Sequence, residues 1–85
     1  MPYVILLRPA AIRDLESLPP DSRSRIEKAI DRLADLARPP GARKLMGVKD
    51  EWRLRVGDYR VLCYVNDPER RVVVARVAHR REAYR

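Results

Sequence analysis

The sequence predicts an α+β domain: a small, antiparallel-dominated sheet of about four strands with an N-terminal helical hairpin packed on one face. Three observations carry this. An apolar run, Tyr3 to Leu7, opens the chain; apolar side chains then recur with a period near 3.6 between Ala11 and Ala37; and from Trp52 the period changes to two. The 85 residues, 46% hydrophobic and 36% charged, are expected to form a single domain over 1–85. A chain of this length buries a modest core, so a bound partner contributes to its stability.

Each element has a local cause. Tyr3 to Leu7 is a short strand. Pro9 then occupies the first position of a helix, where its missing N–H is harmless, and Ala11, Leu15 and Leu18 line one side of that helix to about Leu18. Pro19 and Pro20 interrupt it. Asp21 is expected to cap a second helix whose apolar stripe is Ile26, Ile30, Leu33 and Ala37, ended by Pro39-Pro40-Gly41. Asp14, Glu16, Arg23, Glu27, Lys28, Asp31, Arg32 and Asp35 mix both charge signs and read as a solvated face.

Trp52, Leu54 and Val56 alternate with Arg53 and Arg55, and Tyr59, Val61, Cys63 and Val65 alternate with Arg60, Leu62 and Tyr64. Gly57-Asp58 between them is the signal of a type II′ turn. The register follows by counting: Val56 opposite Tyr59, Arg55 opposite Arg60, Leu54 opposite Val61, Arg53 opposite Leu62, Trp52 opposite Cys63. One face of this hairpin is apolar and receives the helices; Arg53, Arg55 and Arg60 stand on the other. After a turn at residues 66–69, the β-branched run Val72 to Ala78 reads as an interior strand. Val73, Ala75 and Val77 are expected on its core side, and Val72, Val74, Arg76 and Arg80 on the arginine side.

The net charge is +7, and sixteen of the nineteen cations are arginine. Residues 43–85 carry +6 of it. The fixed fork of arginine matches phosphate with two parallel hydrogen bonds, which points to a nucleic-acid partner. Cys63 is the one cysteine and His79 the one histidine, so neither a disulfide, a zinc site nor a Ser/His/Asp set is expected, and Trp52 and Cys63 read as core. No metal or cofactor is expected. The apolar run at the N-terminus is too short for a membrane span or a secretion signal, so a cytoplasmic protein without membrane contact is expected. RNA brings its own nucleophile: its 2′-hydroxyl attacks the neighbouring phosphate when a base takes the proton and cations stabilise the crowded phosphorane.

Leu45-Met46-Gly47, the run from Glu51 to Val61, and His79-Arg80-Arg81-Glu82-Ala83-Tyr84 resemble RelE-type toxins of the RelE/ParE superfamily over essentially the whole chain. The resemblance implies a RelE-like microbial RNase fold and the toxin of a type II toxin–antitoxin system. Such a toxin cleaves mRNA in the ribosomal A site without a metal and is held inactive by a cognate antitoxin. Its partners are then the antitoxin, the ribosome and mRNA, with operator DNA bound only through the antitoxin complex. Carried over position by position, the activity falls on Arg53, Arg55, Arg60, Arg80 and Tyr84; further RNA contact is expected from Arg43, Lys44, Arg76 and Arg81. Relatives carry lysine where this chain has Arg53 and Arg55, and arginine keeps its proton, so a separate base is required. His79, beside Arg80 and of the residue type that titrates near neutral pH, is the expected one, provided the strand end turns its ring inward. Two alternatives share the scaffold: a ParE-like inhibitor of DNA gyrase without enzymatic activity, and a non-toxic module that binds antitoxin.

Overall fold

A computed structural model describes residues 2–37, 43–44 and 51–80 of the chain. The elements run β1 (Val4–Leu7), α1 (Pro9–Glu16), α2 (Pro20–Arg32), β2 (Arg43–Lys44), β3 (Glu51–Val56), β4 (Tyr59–Asn66) and β5 (Arg71–His79). The strands form one sheet in the order β1-β5-β4-β3-β2, with β1 parallel to β5 and the remaining pairs antiparallel. The fifth strand, beyond the expected four, is the two-residue β2 at the edge. Two residues are too few to show a period.

Both helices begin with proline at the first helical position. Asp21 does not cap α2. Pro19, extended at φ −56° and ψ 147°, takes the N-cap position, and Asp21 lies in the first turn, where its charge still favours the helix dipole. Ala11, Leu15, Ile26, Ile30, Leu33 and Ala37 are buried from the helical layer, as their spacing predicts, against Leu54, Val61, Cys63 and Val65 of β3 and β4. Every expected pairing of the β3–β4 hairpin is present, and Gly57 takes φ +57° at its turn.

β5 departs from the expected alternation. Cys63 pairs with Val74 while the preceding Leu62 pairs with Arg76, so Ala75 is an extra residue that opposes no β4 partner. Such a bulge reverses the pleat. Ahead of it the core residues are Val72 and Val74, both fully buried, not Val73; beyond it Val77 is buried and Arg76 exposed, as expected.

The last turn of α1 is fastened to β5. β1 pairs with β5 only as far as Val74, and Asp14 takes over past that point. Its carboxylate accepts hydrogen bonds from Arg76 Nε (2.8 Å), Arg76 Nη2 (3.1 Å) and the Val77 backbone N–H (2.9 Å). Asp14 is therefore not part of a solvated face. Burial raises its pKa, but the bonds from Arg76 and Val77 and the charges of Arg76 and Arg13 outweigh this and leave it below the ordinary 3.8.

Asp14→Ala is expected to cost about 1–3 kcal/mol in urea denaturation, because it leaves the strand-edge N–H and a guanidinium without their acceptor. A depressed carboxylate contributes stability that is present above its unfolded value and lost as pH falls through the lower folded one. The wild-type unfolding midpoint should therefore drop more steeply than that of Asp14→Asn as pH falls from about 4. Leu33→Ala, which empties a fully buried position, should cost about 2–5 kcal/mol in the same assay.

Candidate RNA-binding face

The tight turn at Gly57-Asp58 gathers the predicted site. Arg53 and Arg55 of β3 and Arg60 of β4 share the face turned away from the helices; Arg55 is exposed, Arg53 and Arg60 are half-buried. Arg55 and Arg60 sit directly opposite each other. Arg60 folds its head back onto the turn, donating from Nη1 to the Tyr59 carbonyl at 3.0 Å and, at a longer 3.4 Å, to that of Gly57. Arg80 lies just past β5, exposed, and its backbone N–H donates to the Asp58 carbonyl at 2.7 Å. The end of β5 is thereby tied to the same turn that carries Arg60.

Other predicted residues are placed differently. Arg76 reaches this face because of the bulge, but its guanidinium is held by Asp14 across the edge of β5. His79 pairs with Tyr59, and the two rings meet edge-on with centroids 5.6 Å apart. Tyr59 belongs to the side of the pleat that carries Val61, so the alternation turns His79 away from Arg55 and Arg60. Arg43 and Lys44 form β2, opposite Arg53 and Trp52 respectively. Arg81 and Tyr84 lie outside the described residues.

The face also holds residues that sequence reasoning passed over. Tyr64 stands on it opposite Val73, half-buried, with the Arg8 guanidinium 5.1 Å from its ring centroid. The alternation that set Arg60 and Leu62 outward carried Tyr64 with them, so this aromatic was legible. Cys63 is on the other side, buried, and burial pushes its thiol up to about 11, which makes it an inert core group. Among the described residues no three His, Cys, Asp or Glu side chains gather. The chemistry on offer is guanidinium charge, an aromatic ring, backbone and, on the same side of β3 directly opposite Tyr64, the buried carboxylate of Glu51.

The chain is similar to proteins already known. The model of the ParE toxin family, toxins of the parDE type II toxin–antitoxin system, matches residues 5–84. The chain belongs to that toxin family. Toxin RelG of Mycobacterium tuberculosis (strain ATCC 25618 / H37Rv) is similar to it at 37% identity, over 100% of this chain and 99% of the relative. The archaeal RelE–RelB complex from Pyrococcus horikoshii OT3 superposes with a TM-score of 0.85 at 28% identity, covering 96% of this chain and 99% of the other. The RelBE2 toxin–antitoxin complex of M. tuberculosis gives 0.68 at 34%, covering 93% and 99%. The toxin thus has the α+β fold of RelE structures and is a member of the RelE/ParE superfamily.

The Arg55–Arg60 pair carries a measurable signature. Like charges directly opposite in a hairpin repel, so Arg55→Thr, which keeps a good strand former, should stabilise the free toxin by some tenths of a kcal/mol. The gain should vanish in about 1 M salt, where screening reaches ~3 Å. Urea midpoints at the two salt concentrations check it.

Proposed function

We propose that the toxin is a metal-independent endoribonuclease that cleaves mRNA in the ribosomal A site and is neutralised by a cognate antitoxin. The observation that supports this best is the set of arginine positions around one tight turn, with Arg55 and Arg60 directly opposite each other in the strand register. Without an anion that arrangement is repulsive; with a phosphate between them it is attractive. In this scheme Arg60 and Arg80 hold the scissile phosphate and stabilise the phosphorane, while Arg53 and Arg55 hold flanking phosphates. Tyr84 stacks on a base or protonates the leaving oxygen, and Tyr64 offers a second stacking surface. The 2′-hydroxyl oxygen forms the new bond to phosphorus, its proton passes to a base, and the 5′-oxygen leaves with a proton. Atoms balance without water or metal.

Antitoxin complexes among the similar structures, RelE with RelB and RelBE2, support an antitoxin partner for this chain. Acidic segments in that partner would neutralise the basic face, and operator DNA would be reached through the complex.

Primer extension on translated mRNA tests the reading. Wild-type toxin should produce cuts within codons, and Arg60→Ala and Arg80→Ala should reduce them at least about a hundredfold while circular dichroism shows the fold intact. His79→Ala tests whether that base is His79, although the alternation turns it away from Arg55 and Arg60: loss of the acidic limb of the pH profile would give it the role, and an unchanged profile rules it out.

A second reading is favoured by the ParE family match itself: a non-enzymatic inhibitor of DNA gyrase on the same scaffold. Uncut mRNA together with blocked supercoiling by purified gyrase would decide for it.

A further inference from the structure

A second set of cations lies on the helical side of β3. Arg25, Lys28 and Arg32 recur at i, i+3 and i+7 and so share one side of α2. They face a cleft of about 270 Å³ whose remaining lining is Ala29 and the β3 residues Leu54, Arg55 and Val56. The cleft opens where β2 stops: β2 pairs with Trp52 and Arg53 alone, leaving Leu54 to Val56 without a strand on that side among the described residues. Arg25 reaches as far as the β3–β4 turn, its Nη1 standing 3.6 Å from where a Cβ on Gly57 would be.

Four cations thus surround one concavity, and among the described residues no carboxylate lines it. Among the described residues none of the four is engaged in an ion pair; the neighbouring Glu27 is taken up by Arg23 at 3.7 Å. Cations held around a shared space repel unless an anion occupies it. Arg55 belongs to both basic regions, since it lines this cleft and also opposes Arg60 on the sheet. The two basic regions therefore meet at Arg55.

We propose that this cleft binds a phosphate of an RNA backbone, as an anchoring point separate from the residues assigned to cleavage. From the proposed function it takes only the class of partner, RNA, and it requires no cleavage. Three of the four cations are guanidinium groups, whose geometry suits phosphate oxygens. A docked amphipathic helix would need a row of apolar anchors along its length, and Ala29, Leu54 and Val56 are too few to make one. The phosphate can belong to mRNA or to ribosomal RNA; the chemistry is the same.

The test compares two full-length variants of equal net charge, Arg25→Gln/Arg32→Gln in the cleft and Arg13→Gln/Arg71→Gln outside it. Glutamine preserves helix propensity, and matched thermal melts, or the single variants if the double one melts early, show that the fold is retained. The probes are a fluorescent, fully 2′-O-methylated oligoribonucleotide, which offers no nucleophile, and 70S ribosomes. The cleft variant should bind about tenfold more weakly than the control, with the slope of log affinity against log salt smaller by about 0.7, one phosphate's share. Weakening on the oligonucleotide assigns the phosphate to mRNA; weakening on ribosomes alone assigns it to ribosomal RNA. Equal affinities of both variants for both probes would overturn the proposal, as would unchanged RNA affinity with weakened antitoxin binding, which gives the cleft to the protein partner. Because the oligonucleotide cannot be cut, a toxin without nuclease activity still gives a readable answer.

Discussion

The two faces of a pleated strand cannot both be buried under the same helices, and the rest of the molecule depends on that constraint. Placing Leu54, Val61, Cys63 and Val65 beneath Ile26, Ile30 and Leu33 commits every other residue of the β3–β4 hairpin to the opposite side. The arginines are therefore assembled by the hydrophobic effect. Each apolar group buried contributes on the order of 1.5–3 kcal/mol, against some tenths for the repulsion between Arg55 and Arg60. The fold can hold like charges together because their mutual cost is small beside the burial that places them.

β5 needs a further device to take part in this division. On a regular pleat, Val72, Val74 and Arg76 would share a face, and an arginine would be driven under the helices. The extra residue at Ala75 separates the buried valines from Arg76 and directs the guanidinium outward. Asp14 then holds it at the edge of the strand. One inserted residue thus reconciles an apolar requirement in the first half of the strand with a polar one in the second.

What could be read beforehand followed from local rules. Gly57-Asp58 sets the turn, the turn sets the register, and alternation distributes the arginines; none of this needs knowledge of the rest of the chain. The helical stripes were legible for the same reason. What escaped depends on relations between distant segments. A bulge leaves no mark in a run of β-branched residues, so plain alternation predicts the wrong sides for Val72 to Val74. The bond between Asp14 and Arg76 joins residues 62 apart. The cations of α2 looked like ordinary surface because only the fold shows that β3 faces them across a cleft. Pro19 displaced Asp21 from the cap because an extended proline already starts the helix.

The parallel pairing of β1 with β5 has a bearing on the order in which the molecule takes shape. Val4 lies beside Arg71, and the Val4 N–H bonds to the Arg70 carbonyl, so the first strand waits for the last. The helices and the β3–β4 hairpin close over short loops and can form early, whereas β1 requires the ends of the domain to meet, a slow step in loop entropy. Until then the flank of β5 that carries Val72 to Val74 is an open template for foreign strands. A partly unfolded toxin therefore exposes an unpaired, β-branched strand edge for as long as its N-terminus is undocked.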